Sequence, residues 1–281
     1  MSFSHGARYT VLPGAMDILA AQYTRQEFAP HFHDTFAFGV IEHGECHFLR
    51  SGIRYVARPG DLFVIHPFES HTGSPAATGL SYRVLYPSCD WLKTVFPGSG
   101  ASTWPHFPSA VYCSPEAQAL RHSIQLIGEC SGPAPGPDQL AALSPVLAAI
   151  GQRHSTGMRR CPDPGEGDSP VSTACRLLSR TCADTSFSDV AAMLGLSRYH
   201  FHRLFRRAIG LTPGSWSRSV RLRRARGLIH AGASLADVAN ETGFSDQSHL
   251  TREFRRVYGV TPGTLRARQP SNPVQDEDRQ R

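Results

Sequence analysis

Two stretches of this chain carry polar side chains at a spacing that gathers them on one face of a helix. Tyr199, His202, Arg203 and Arg206 fall at i, i+3, i+4 and i+7; Ser248, Thr251, Arg252 and Arg255 repeat that spacing, with Gln247 one turn before Thr251. A guanidinium grips guanine O6 and N7 bidentately and a glutamine amide does the same for adenine, so the chemistry such faces offer is recognition of base edges. Either face alone reads equally well as solvated arginines on an ordinary amphipathic helix. A third group, His31 and His33 with His71, offers imidazole nitrogens: on a regular strand His31 and His33 point the same way, and His71 supplies a third nitrogen.

The elements that must position the first two groups are written twice. Ser188-Asp189-Val190-Ala191-Ala192-Met193-Leu194-Gly195-Leu196-Ser197 is answered 48 residues later by Ala236-Asp237-Val238-Ala239-Asn240-Glu241-Thr242-Gly243-Phe244-Ser245, and Phe205 to Gly214 is answered 49 residues later by Phe254 to Gly263. Each copy reads as a short helix, a glycine turn and a longer helix. Gly195 and Gly243 suit a positive-φ turn residue, and Ser197 and Ser245 stand where an N-cap hydroxyl would. Opposite the polar faces, Phe201, Leu204, Phe205 and Ala208 make one apolar stripe, and Leu250, Phe254 and Val257 another. Thr212-Pro213 and Thr261-Pro262 are each a cap followed by proline at the first helical position; the helix from Pro213 runs to about Ala231. Duplication moves the balance toward a nucleic-acid surface, and charge agrees: Val171 to Arg268 holds sixteen Arg and no Lys against six acids, net +10, whereas Met1 to Pro170 is net −3.

These residues resemble the DNA-binding domain of the AraC/XylS family of bacterial transcription regulators. The likeness is carried by Gly243 to Arg256, then Gly259, Thr261-Pro262 and Arg266, and by Pro213, Trp216, Arg221-Leu222, Ala225 and Leu228-Ile229 in the joining helix. The resemblance implies Tyr199, His202 and Arg203 in one major groove and Gln247, Ser248, His249 and Arg252 in the next, with Arg203, Arg252 and Gln247 reading bases. Arg206, Arg207, Arg255 and Arg256 then meet phosphate or solvent. Tyr199 and His249 could equally pack or cap, Arg221 reads as an internal salt bridge, and Trp216 as core.

The rest of the chain frames that module. Its 281 residues leave room for two domains, and no apolar run is long enough to span a bilayer. Seven cysteines form no Cys-x-x-Cys pair and no signal-peptide pattern opens the chain, so a reducing cytoplasm is expected. Short runs at Phe36 to Ile41, Cys46 to Leu49, Ile53 to Ala57, Leu62 to Ile65 and Leu80 to Tyr86 read as strands, with turns at His43-Gly44-Glu45, Ser51-Gly52 and Pro59-Gly60-Asp61. They suggest a small antiparallel barrel or jelly roll. The Pro-Gly-Asp turn, His31-Phe32-His33 and Pro67 before His71 resemble a cupin-like ligand-binding domain. Metal-binding cupins add a glutamate four or five residues after their His-x-His, where this chain has Phe36, Ala37 and Phe38. The expectation is therefore no metal and no cofactor, with His31, His33 and His71 lining an effector pocket or hydrogen-bonding inside the barrel, and with Tyr82 and Tyr86 as weaker pocket candidates.

Ser114 stands ready to cap a helix from Pro115 to about Glu129 with Ala119, His122 and Leu126 on its apolar side. Pro137 to Gln152 reads as a second helix, striped by Leu140, Leu143, Leu147 and Ile150 and open to a kink at Pro145. The resemblance implies that this pair makes a homodimer; the alternative is packing against the barrel alone. The fold class expected is α+β multidomain: a cupin-like barrel over 1–110, a helical dimerisation segment over 111–154, a flexible linker over 155–170, an all-α double helix-turn-helix domain over 171–268 and a disordered tail over 269–281. The function expected is a non-enzymatic regulator, an activator by the family's commoner mode, that binds promoter DNA, a small-molecule effector and RNA polymerase. A metal-dependent cupin enzyme joined to a DNA-binding domain and a ligand-independent regulator are the alternatives.

Overall fold

The computed structural model describes residues 6–12, 14–100, 102–129, 140–180 and 186–266. The tail from Gln269 and the start of the helix expected from Pro137 lie outside the described residues. In the N-terminal part the strands are β1 (Gly6–Leu12), β2 (Met16–Tyr23), β3 (Phe28–His31), β4 (Ala37–Arg50), β5 (Ile53–Ala57), β6 (Asp61–Ile65), β7 (His71–Pro87), β8 (Thr103–Pro105) and β9 (Val111–Cys113). Eight of them, all but β8, form one antiparallel sheet in the order β1-β2-β7-β4-β6-β9, with β3 added on β7 and β5 on β4.

The long strands β4 and β7 pair from Phe38 with Leu85 to Arg50 with His71, and the register slips at Ile41/His43 and Gly44/Cys46. His43-Gly44-Glu45, expected as a turn, is thus a bulge within a single 14-residue strand. Gly44 takes φ 73°, and a Cβ there would run into the Gly79 carbonyl. A bulge and a turn ask for the same positive-φ glycine, so local sequence does not separate them.

Two helices follow the sheet after the short α1 (Cys89–Val95): α2 (Glu116–Glu129) and α3 (Leu143–His154). Ala117, Leu120, Ile124 and Ile127 of α2 and Leu143, Leu147 and Ile150 of α3 are buried in one core with Phe36, Phe38, Leu62, Leu85, Trp104 and Phe107. The α3 stripe is the expected one, and it is spent on the sheet. The α2 stripe is not: Ala119, His122 and Leu126 face outward. Pro145 lies in the first turn of α3, where its missing N–H costs nothing, and the expected continuous helix is interrupted just before it, by a turn at Ala142 after helical residues 140–141. The Ser114 hydroxyl serves Glu116 and His154. The linker expected to be flexible is held down: β10 (Met158–Arg160) pairs with β8, and the Cys161 amide donates to the Ser102 carbonyl at 2.6 Å.

Seven helices complete the described residues: α4 (Pro170–Arg180), α5 (Phe187–Met193), α6 (Arg198–Ile209), α7 (Pro213–His230), α8 (Leu235–Glu241), α9 (Gln247–Tyr258) and α10 (Pro262–Arg266). The duplicated units are α5–α6 and α8–α9. Gly195 and Gly243 turn between the helices of each at φ 66° and 72°, and Gly210 and Gly259 close α6 and α9 in the left-handed region. Ser197 caps α6 by accepting from the His200 amide at 3.2 Å. Ser245 does not cap α9; Asp246 does, accepting from His249 N–H at 2.7 Å, because the second copy places its carboxylate at the residue whose backbone is still extended. Between the units, α7 starts at the Thr212 cap with Pro213 in its first turn and runs for 18 residues, about 27 Å at the helical rise.

Candidate nucleic-acid interface and effector cavity

Apolar packing decides which face of each long helix is left for solvent. Phe201 and Phe205 are buried beneath α6, and Leu250, Phe254 and Val257 beneath α9. Opposite them Tyr199, His202, Arg203 and Arg206 are exposed, as are Gln247, Ser248, Arg252 and Arg255. Tyr199 is 75% exposed, with the Arg203 guanidinium 5.7 Å from its ring centre, so neither is committed to the core. His249 is half-buried: its ring meets Phe244 edge-on at 5.3 Å and its Nδ1 lies 3.1 Å from the Ser245 hydroxyl. Arg221 turns inward as expected: it donates to Gly243 O at 2.7 Å and sits 4.8 Å over Phe244. Sequence reasoning passed over Arg218 and Glu253, an ion pair that ties α9 to α7.

The sensor sheet wraps a cavity with about 530 Å³ of space between its atoms, part of it open to solvent. His31, His33, His71, Tyr82 and Tyr86 all line it, so every residue expected at the pocket is brought there. The strand argument that paired His31 with His33 does not hold, since β3 ends at His31. The chain bends instead, and the His31 and His33 rings come within 4.8 Å of each other, edge to face. His33 Nε2 and His71 Nε2 lie 3.1 Å apart. Burial, before any neighbour, pushes the pKa of all three imidazoles down, most strongly for His31 and His33. Burial likewise keeps the Tyr82 and Tyr86 phenols protonated.

What the sequence did not disclose is the roof. Val257 and Tyr258, at the end of α9, line the same cavity as the sensor strands, and Tyr258 stacks toward His33 at 6.4 Å. No spacing along the chain couples residues so far apart. The two parts are joined around β3: Phe32 stacks on Trp216 of α7 at 4.5 Å, Phe28 packs beside Gly259, and the Tyr23 phenol donates to the Gly259 carbonyl at 2.7 Å. Arg226 of α7 donates to Asp34 at 3.4 Å and lies 3.9 Å from Asp17. Asp34, the acid beside the histidines, is thereby turned toward arginine.

A model described as an AraC-like ligand binding domain matches residues 13–150, and one described as a helix-turn-helix domain matches residues 190–268. Among curated proteins, the uncharacterized HTH-type transcriptional regulator YbfI of Bacillus subtilis (strain 168) is 29% identical over 80% of this chain and 82% of its own. The arabinose operon regulatory protein of Salmonella typhimurium is 27% identical over 77% and 78%, and the transcriptional activator RhaS of Escherichia coli O6:H1 is 24% identical over 95% and 97%. Among solved structures, ToxT from Vibrio cholerae with an unsaturated fatty acid bound superposes with a TM-score of 0.54 at 12% identity, over 91% of this chain and 96% of that one, a likeness of fold. No helix among the described residues is long and apolar enough to cross a membrane.

Proposed function

The chain belongs to the AraC family of transcriptional regulators, a ligand-binding domain followed by a DNA-binding helix-turn-helix domain, and on that premise we propose that a small molecule in the sensor cavity acts directly on the second recognition helix. One observation carries this reading: α9 presents Gln247, Ser248 and Arg252 to solvent at one end and closes the cavity with Val257 and Tyr258 at the other. An effector touching Tyr258 has a differential interaction with the docked and undocked positions of α9, and without such a difference it would shift nothing. The lining, with Phe28, Phe48, Phe63, Ile41, Ile65 and Leu80, favours an effector with an apolar body whose polar end reaches the histidines.

In this reading Arg203, Arg252 and Gln247 read bases in two successive major grooves, Tyr199, His202, Ser248 and His249 flank them, and Arg206 and Arg255 meet phosphate. Activation through RNA polymerase, a homodimer using the outward face of α2 at Ala119, His122 and Leu126, and a cytoplasmic location complete the proposal. Its relatives are transcriptional regulators, which sets aside the enzyme alternative. Genome-wide mapping of bound DNA, followed by binding of the mapped fragment with and without small metabolites that raise the melting temperature of the full chain, tests it. Failure to enrich any common sequence, or ligands that stabilise the protein yet leave DNA affinity unchanged, would overturn it.

A further inference from the structure

The cavity wall offers a ligand set that the effector reading does not use. We propose that His31, His33 and His71 form a three-imidazole site for a divalent transition-metal ion, with its remaining coordination positions facing the cavity. The ligand nitrogens of these three residues all lie within 4.8 Å of one another, the one such group of His, Cys, Asp or Glu among the described residues.

Three features argue for a metal site over a chance cluster. The first is spacing. Two nitrogens bound about 2.1 Å from one ion are about 3.0 Å apart at an octahedral right angle and about 3.4 Å apart at tetrahedral zinc, and His33 Nε2 and His71 Nε2 are separated by 3.1 Å. The ring centres, 4.2 Å apart for His31 and His71 and 4.8 Å for each other pair, fit three imidazoles on one face of an ion.

Tautomer is the second. His31 Nδ1 lies 2.7 Å from the Ala29 carbonyl and His71 Nδ1 2.9 Å from the Glu69 carbonyl. A carbonyl only accepts, so both Nδ1 atoms carry the proton and both Nε2 lone pairs point into the cluster, the outer-shell arrangement that orients metal-bound histidines. With His71 Nε2 an acceptor, His33 Nε2 donates to it across 3.1 Å, and coordination moves that proton to His33 Nδ1, which is buried and has no hydrogen-bond partner. The third feature is the lining: no Asp, Glu, Lys or Arg lines the cavity, so no side-chain ammonium or carboxylate there competes for the three rings. The ion would hold an oxygen donor on an effector.

The missing carboxylate does not defeat the site. Glu69 is taken by Arg50 and His66, and Asp34 by Arg226. Three neutral nitrogens with open positions suit Zn²⁺, Fe²⁺, Co²⁺ or Ni²⁺.

Full-length protein, freed of metal by a chelator, is titrated with Zn²⁺ and with Co²⁺ in the absence of DNA and effector. One equivalent retained through gel filtration is expected, with visible absorption from bound Co²⁺. X-ray absorption of the zinc-loaded wild type is expected to count three imidazoles. His71→Gln should bind at least about tenfold more weakly, while His47→Ala, at an exposed histidine, should bind as the wild type does. No retained metal, or fewer than three imidazoles around it, overturns the proposal without depending on whether any variant folds. Because only metal is read, the effector reading stands or falls separately.

Discussion

Phe32 and Trp216 stack with ring centres 4.5 Å apart and planes 28° from parallel, each nearly excluded from solvent, one just past the end of β3 and the other in the helix that joins the two DNA-binding units. This pair is the apolar seam through which the sensor holds its partner domain. Phe32→Ala should lower stability by about 3 kcal/mol, the low end of what deleting a buried Phe ring costs. Denaturant unfolding of the full chain measures it; a loss below about 1 kcal/mol would mean that the seam is held elsewhere.

Arg203→Ala and Arg252→Ala should each weaken binding to the cognate site by about 1–3 kcal/mol and relax specificity at one base pair. Fluorescence anisotropy on cognate and random duplexes separates the roles. Equal losses on both would make these side chains phosphate contacts.

Affinity for DNA should fall steeply with salt, by roughly a thousandfold or more between about 50 and 200 mM if six or more phosphates are neutralised. The exposed Arg206, Arg207 and Arg255 are the cations this slope would count. A flat profile would contradict the assigned surface.

Asp246→Ala should cost about 1 kcal/mol, since it removes the acceptor for the first free amides of α9, whereas Ser245→Ala should cost a few tenths. Thermal melts of the two variants decide which residue is the cap; equal effects would return the role to both.

Burial pushes the Cys46 thiol from its ordinary value of 9.0 up to about 12. At pH 8 its thiolate fraction is then about one in ten thousand, and iodoacetamide should label exposed Cys113 well before Cys46. A raised thiol pKa contributes stability in full below the unfolded value, and that contribution drains away as pH rises from about 9 toward 12. Peptide mapping by mass spectrometry reads the labelling order. Rapid modification of Cys46 in folded protein would show that the cavity wall opens.

Sequence alone determined the repeated helical pairs, their glycine turns, the Thr212 and Ser197 caps and the outward arginines, because each is written in spacings of a few residues and each side chain's fate follows from a local stripe. It also placed His31, His33, His71 and Tyr82 at one cavity, through turn and histidine patterns shared with a known fold. Tertiary structure decided the rest. Helix α2 carries two stripes, and only contact with Phe36 and Phe38 buries the one through Leu120 and Ile124 rather than the one through Ala119 and Leu126. A glycine at positive φ serves a bulge as well as a turn, so Gly44 needed Gly79 across the sheet to choose. The pairing of Met158–Arg160 with Thr103–Pro105, the Phe32–Trp216 stack and the closing of the cavity by Tyr258 join residues far apart in the chain. Such contacts leave no periodic trace, because surface complementarity is a property of two folded faces and exists only once both have formed.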